Sequence, residues 1–150
     1  SVLAVYSLSK QSNLAGYRGA FVAGDPVLVG QLLEVRKHAG MIVPWPVQRA
    51  MLAALSDADH VVAQKQRYAA RRAALLPAVE SFGVRVDDSE AGLYLWASAG
   101  EDCRVSIERL ADRGILAAPG DFYGPAGRQH VRIALTATDE RIEAAVRRLG

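Results

Sequence analysis

Apolar runs and apolar stripes alternate along the first half of the chain. Val2 to Tyr6 is a short apolar run, which predicts a buried strand ending near Ser9. A helix is predicted from Pro26 to about His38, because Asp25 suits the N-cap and proline suits the first helical position. Gly40 follows as a stop signal. The apolar stripe of this helix is expected to cover one face of a sheet.

Two more helices are predicted downstream, one from Pro46 and a long one from about Asp59 to Phe82. Pro77 is expected to bend or interrupt the long helix. Between the first two helices, Trp45 stands in a proline-rich connection, where packing is favoured over an entrance or a dimer contact. The long helix carries four basic residues, for which a solvated face is favoured over a nucleic-acid surface: Lys65, Arg67, Arg71 and Arg72.

After Gly83 the pattern becomes strand, strand, helix, strand, strand, helix, which predicts an α/β fold class. The predicted strands are Val84–Val86, Leu93–Ala97, Ile115–Ala118 and Val131–Leu135. A helix is predicted from Asp102 to Arg113. Thr138 is expected to cap a last helix with one apolar stripe. The segment from Pro119 to Pro125 is predicted to be a long irregular loop.

Composition and charge narrow the range of functions. The chain is 51% hydrophobic and 23% charged, with a formal net charge of +2. That charge is too small to indicate nucleic acid or an anionic membrane as a partner. The one cysteine, Cys103, excludes an internal disulfide and is expected to be a small apolar residue on a helix. No transmembrane span, signal peptide or metal site is predicted, and a cytoplasmic location is expected.

The candidate chemistry is concentrated in the segment Ser7-Leu8-Ser9-Lys10, followed by a glycine-containing turn and Arg18. Two hydroxyls and a guanidinium suit a phosphate, and a lysine amine can form an imine with an aldehyde. Alternation along a strand would place Ser7 and Ser9 on one face and Lys10 on the other, unless the strand ends there. Ser7-x-x-Lys10 also has the spacing of a penicillin-recognising serine nucleophile, but the S-D-N and K-T-G motifs of that class are absent.

The run S-L-S-K-Q-S-N-L-A-G-Y-R-G resembles the cofactor-lysine motif of class I/II aminotransferases, the fold-type I enzymes that use pyridoxal 5'-phosphate. Three later segments are similar to C-terminal landmarks of that family, in the same order: Gly92–Trp96, Gly114–Gly120 and His130–Leu135. The wording of the motifs is most similar to that of actinobacterial succinyldiaminopimelate aminotransferases. The resemblance covers nearly the whole chain.

This resemblance implies that the chain is the C-terminal portion of a longer polypeptide. Residues 1–63 would be the end of the large cofactor domain, and residues 64–150 the small C-terminal domain. The family's remaining cofactor-binding groups precede the lysine, so the isolated chain is expected to have no useful turnover. The resemblance also implies a homodimer.

The resemblance assigns roles to the residues of the first motif. Lys10 would hold pyridoxal phosphate as an imine and then act as the general base. Ser7 and Arg18 would anchor the phosphate. Ser9 would either join them or only shape the turn.

The resemblance assigns substrate binding to the second half of the chain. From the pattern alone, Arg132 lies either on a solvated face or against an anion. The family match makes it the partner of the substrate α-carboxylate. Tyr94 and Phe122 are either pocket walls or core residues.

The implied reaction moves an amino group between glutamate and an oxo acid, with N-succinyl-2-amino-6-oxopimelate as the expected acceptor. The alternatives are a non-catalytic binding module with the same fold, or an aminotransferase of different specificity.

Overall fold

The computed structural model describes all residues from 1 to 150, which form two compact units, Ser1–Ala63 and Gln64–Gly150. The division falls inside a helix that starts at Asp59, after its first five residues. The assignment of these units to the large and small domains of the family stays a prediction.

The first unit combines a two-stranded ribbon with helices. Strand β1 (Leu3–Ser7) runs directly into the short helix α1 (Leu8–Gln11), and a 3-10 turn (Ala15–Tyr17) leads to β2 (Ala20–Gly24). The strands are antiparallel, with Ser7 opposite Ala20. Helices α2 (Pro26–His38), α3 (Trp45–Leu55) and the start of α4 (Asp59–Ser81) follow.

The burial expected for the first strand is wrong for this chain. Every residue of β1 is exposed, and Val5 keeps 73% of its surface accessible. The reason is that β1 pairs only with β2, so an apolar run formed a strand without acquiring a covering layer. Only Leu8 and Met51 are buried apolar residues in this unit.

Helix α2 confirms the start and stop signals. The Asp25 carboxylate accepts hydrogen bonds from the backbone N–H groups of Val27 and Leu28, and Gly40 follows the helix with a φ of +72°. None of its residues is buried, so it covers the ribbon less completely than expected. Trp45 opens α3 and is 67% exposed, which contradicts the packing interpretation.

The second unit is built on a four-stranded sheet with the order β3-β4-β6-β5. The strands are β3 (Arg85–Asp87), β4 (Tyr94–Ser98), β5 (Ala118–Pro119) and β6 (Val131–Ala134). All neighbouring strands are antiparallel. Alternate residues such as Leu95, Val131 and Ile133 face the core, together with residues of α4, α5 (Cys103–Asp112) and α6 (Asp139–Leu149).

Several local expectations change in this unit. The long helix α4 continues through Pro77 without interruption, and β5 is only two residues long. The loop after Pro119 is largely two 3-10 turns, Gly120–Tyr123 and Pro125–Gly127. Thr138 occupies the N-cap position of α6, but its side chain makes no capping hydrogen bond to the helix backbone. Cys103 lies on a helix, as expected, and is fully buried.

The basic residues of α4 are only partly a solvated face. Lys65 and Arg67 are exposed. Arg71 instead donates to the Asp139 carboxylate at 2.6 Å and to the Leu135 carbonyl at 3.0 Å. Arg72 donates to the Ser89 hydroxyl and the Gly92 carbonyl, both at 2.9 Å. These two arginines therefore connect α4 to α6 and to the segments that adjoin β4 and β6.

A close backbone approach fixes the start of the 3-10 turn Gly120–Tyr123. The Gly120 N–H donates to the His130 carbonyl at 2.8 Å, and a Cβ at Gly120 would overlap the carbonyl oxygens of Gly127 and His130. We expect Gly120→Ala to destabilise the protein by about 1–3 kcal/mol, since backbone must move to admit the methyl group. Urea unfolding would measure this.

The matched control is Gly30→Ala, because no atom lies within 4 Å of a Cβ at that position of α2. Alanine is the better helix former, so this variant should be neutral or about 0.5–1 kcal/mol more stable. Equal stability of Gly120→Ala and the wild type would contradict the overlap.

Candidate active site

The lysine lies on a sharp strand-to-helix turn. Ser7 ends β1 and is the N-cap of α1, where its hydroxyl oxygen accepts a hydrogen bond from the Ser9 N–H at 3.2 Å. The two hydroxyl oxygens of Ser7 and Ser9 are 3.0 Å apart. Lys10 follows on α1 with an exposed side chain that makes no hydrogen bond or ion pair.

The turn brings the serines together by a different route from the one expected. They do not share a strand face, because β1 ends at Ser7, two residues before the expected end. One helical turn replaces strand alternation and pairs the hydroxyls directly. A penicillin-recognising serine is expected to open a helix, and Ser7 does so as the N-cap of α1. The absence of the S-D-N and K-T-G motifs still argues against that class.

Arg18 lies at the same end of the ribbon. It adopts a left-handed backbone conformation with a φ of +52°, and its Nη1 donates to the Ala15 carbonyl at 2.8 Å. Ser7 pairs with Ala20, two residues after Arg18, so the strand register keeps the arginine near the serine turn. No hydrogen bond joins Arg18 to either serine.

Arg132 projects from the face of the second sheet opposite the core. Its neighbours across the strands are Trp96 and Ala118. Its guanidinium carbon lies 4.1 Å from the ring centre of Tyr94 and 4.8 Å from that of Tyr123, which are cation–π distances. The buried Nε of Arg132 has no hydrogen-bond partner. A guanidinium can bind a planar anion by donating hydrogen bonds from its in-plane N–H groups.

Further aromatic contacts support this arginine. Trp96 meets Tyr123 edge to face with ring centres 5.8 Å apart, and it stacks on His130 at 5.0 Å. His130 Nε2 is 3.0 Å from the Asp87 carboxylate. The hydrogen bond from His130, followed by that from Arg85, holds the pKa of Asp87 below its usual value.

The two aromatic site candidates differ in their surroundings. Tyr94 contacts Arg132 directly, whereas Phe122 is 68% exposed and packs under the Arg104 guanidinium. Tyr123 and Trp96 were not among the expected site residues. Trp96 could have been found from strand alternation, because it follows Tyr94 by two residues. No comparable sequence signal indicated Tyr123, because its position beside Arg132 depends on the 3-10 turn that contains it.

We expect Asp87→Asn to lower the unfolding midpoint near neutral pH, with the difference shrinking under acidic conditions. A carboxylate with a lowered folded pKa contributes stability above its unfolded pKa of about 4, and loses it as the pH falls through the folded value. Thermal unfolding of both proteins from pH 7 to pH 3 would test this. Asp88→Asn is the control, because Asp88 is exposed and makes no ion pair; a constant difference across the pH range would contradict the prediction.

Comparisons with known proteins decide the family. Residues 1–149 match the profile of aminotransferase class I and II. The chain belongs to the class I and II aminotransferase family. This confirms the resemblance at the family level and the C-terminal fold-type I architecture. It also confirms pyridoxal phosphate as the cofactor class.

Two curated aminotransferases are similar over 148 residues, 99% of the chain. One, from Mycobacterium tuberculosis, is named a probable aminotransferase and is 68% identical. The other, 4-dedimethylamino-4-oxo-anhydrotetracycline transaminase of Streptomyces rimosus, is 62% identical. The chain spans only 35% and 41% of their lengths. Among solved structures, a probable N-succinyldiaminopimelate aminotransferase from Thermus thermophilus is 30% identical with a TM-score of 0.83, over 99% of this chain and 41% of that one.

The donor set of the first unit fits the cofactor of this aminotransferase family. Lys10 offers a primary amine with no protein partner, beside two paired hydroxyls. Arg18 adds a guanidinium at the same end of the ribbon. An amine suits the aldehyde, and hydroxyl and guanidinium donors suit the phosphate.

No helix in the structure has the length and hydropathy needed to cross a bilayer.

Proposed function

We propose that this chain is the C-terminal part of an aminotransferase that moves an amino group between glutamate and an oxo acid, N-succinyl-2-amino-6-oxopimelate. The observation that carries the proposal is the Ser7–Lys10 turn, which joins a free amine to paired hydroxyls. Both substrates carry an α-carboxylate, so one binding group can serve both half-reactions.

In this proposal Lys10 attaches the cofactor and later moves the substrate proton. Bound pyridoxal phosphate supplies an electron sink that stabilises negative charge at the substrate α-carbon. The Lys10 Nζ would then act as general base. It would accept the proton from the substrate α-carbon and donate it to the carbon on the other side of the substrate nitrogen. Its lack of a competing hydrogen bond or ion pair leaves the amine available for both tasks.

Phosphate binding is assigned to Ser7, Ser9 and Arg18. The Ser7 hydroxyl donates to the Ser9 oxygen, and its own oxygen accepts from the Ser9 N–H. The Ser9 proton is therefore free to point at a phosphate oxygen, and the Ser7 proton can do so by leaving Ser9. Arg18 uses one nitrogen on Ala15, and its other N–H donors stay available for a charge-assisted contact. These three residues would orient the cofactor relative to Lys10.

Carboxylate binding is assigned to Arg132. The rings of Tyr94 and Tyr123 hold the guanidinium, whose terminal nitrogens are accessible and make no hydrogen bond to the protein, whereas Nε is buried without a partner. A substrate carboxylate would accept hydrogen bonds from the terminal N–H groups. Phe122 is retained only as a wall at the rim, because it is largely exposed.

The oxo-acid specificity has two candidates. The similarity to the Thermus thermophilus protein supports N-succinyl-2-amino-6-oxopimelate, whereas the 62% identity to the Streptomyces rimosus transaminase favours a polycyclic ketone acceptor. The test is to assay the full-length protein with glutamate and a panel of oxo acids and ketones. Preference for the succinylated oxo acid is expected, and turnover of the tetracycline ketone alone would overturn that specificity.

Residues 1–150 alone are expected to show no measurable transamination. The cofactor ring needs further groups around it, and β1 and Lys10 are exposed in this chain. The measurement is turnover with glutamate, together with the visible absorbance of lysine-bound cofactor, compared with the full-length protein. Robust turnover by the isolated chain would contradict this expectation.

A full-length homodimer in the cytoplasm is also part of the proposal, and analytical ultracentrifugation would test the dimer.

A further inference from the structure

A chain of polar contacts joins the lysine turn to the segment that begins α4. The hydroxyl of Ser12 lies 2.9 Å from Nε2 of His60, 48 residues away in sequence. The other ring nitrogen, Nδ1, lies 2.9 Å from the Asp57 carboxylate. The second oxygen of Asp57 accepts from the Asp59 N–H at 2.9 Å, at the start of α4.

These contacts determine which way the hydrogen bonds run. The hydrogen bond from the Asp59 N–H, followed by that from His60, holds the pKa of Asp57 below its usual value, so the group is a carboxylate at neutral pH. A carboxylate only accepts, which places the proton of a neutral His60 on Nδ1. Nε2 is then an acceptor, and the Ser12 hydroxyl donates to it.

Ser12 is also part of the turn that presents Lys10. It is the C-cap residue of α1, and its N–H donates to the carbonyl of the fully buried Leu8 at 3.1 Å. The Leu14 N–H donates to the same carbonyl at 3.3 Å. The other side-chain hydrogen bonds of residues 8–18 stay within the segment 6–18. Only the one between Ser12 and His60 reaches a residue outside that segment.

We propose that His60, oriented by Asp57, is a positioning residue that holds the Lys10 turn through Ser12. This inference rests on the proposed function for the part that concerns the cofactor. One end of α1 is fixed by the Ser7 cap and the other by His60, so the direction in which the Lys10 side chain leaves the helix is constrained from both ends.

Asp57, His60 and Ser12 are linked by hydrogen bonds in the same connectivity as the Asp, His and Ser of a serine-hydrolase triad. The surroundings argue against that activity. The side chains of His60 and Asp57 are 34% and 55% exposed, whereas the aspartate of a catalytic triad is buried. The contacts therefore indicate positioning and not nucleophilic attack by Ser12.

The test uses the full-length protein and the variants His60→Ala, Ser12→Ala and the double variant. Without cofactor, hydrogen exchange at the Ser12 and Leu14 amides should accelerate about 3- to 10-fold in each single variant, the equivalent of one net hydrogen bond. With cofactor, the apparent Kd for pyridoxal phosphate should rise by a similar factor. The double variant should be no worse than either single variant, because both remove the same contact.

Two further variants separate positioning from a general loss of structure. His60→Gln keeps a polar group near the position of Nε2 and should recover most of the cofactor affinity. His38→Gln is the matched control, since His38 is exposed and makes no hydrogen bond, and it should change neither measurement.

The outcomes separate this inference from the proposed function. Unchanged exchange at both amides in His60→Ala would overturn the positioning role, whether or not the protein binds the cofactor. If exchange accelerates but the wild type binds no pyridoxal phosphate, the proposed function fails and the positioning of the turn stands. Labelling of Ser12 by a fluorophosphonate would show a nucleophilic serine and also overturn the assignment.

Discussion

Replacing Lys10 by alanine in the full-length protein is expected to lower kcat for transamination by at least about 10³-fold. The change removes both the covalent attachment of the cofactor and the general base, each of which accelerates the reaction. The Ser7 cap and the Ser12 contact of α1 do not involve the lysine side chain, so the turn itself should remain folded. Cofactor held only by its phosphate should still bind, without the visible absorbance of the lysine-bound form.

Borohydride reduction followed by peptide mass spectrometry is the decisive measurement for Lys10. The wild type should carry a pyridoxyl group on Lys10, and the Lys10→Ala variant should carry none. Lys37→Ala is the matched control, because Lys37 is an exposed lysine of the same unit that pairs with Glu34 at 2.6 Å. A pyridoxyl group on another lysine, or full turnover by Lys10→Ala, would remove the basis of the proposed function.

The elements that could be predicted from sequence are those with local signals. Asp25 and Pro26 fixed the start of α2, and Gly40 fixed its end, because caps depend on neighbouring residues alone. Burial of β1 was mispredicted for the opposite reason. An apolar run indicates that a strand is suited to burial. Whether it is buried depends on other elements packing against it, and those elements lie elsewhere in the sequence.

Long-range partners explain the remaining differences. Arg71 looked like a surface residue because Asp139, its partner, is 68 positions away. The same limit applies to Ser12 and His60. In the candidate site, motif wording led to Lys10 and Arg132 directly, whereas Tyr123 required the turn after Gly120 to be known.

The second large effect is expected at Arg132. Arg132→Ala in the full-length protein should lower kcat/KM for glutamate by about 10²- to 10³-fold, the range for losing one partner of a buried charge pair. Arg132→Lys should recover little, since an ammonium lacks the planar fork and would not keep the same stacking between Tyr94 and Tyr123. Lys10 is not altered, so cofactor attachment measured by absorbance should stay at the wild-type level.

Arg128→Ala supplies the control for Arg132, because its exposed side chain lies four residues earlier and makes no hydrogen bond. Comparing glutamate with its α-amide, which lacks the charged carboxylate, locates the lost contact. The wild type should prefer glutamate strongly, and Arg132→Ala should discriminate little between them. If the variant kept the full preference, another group would bind the carboxylate, and the assignment of this role to Arg132 would be wrong.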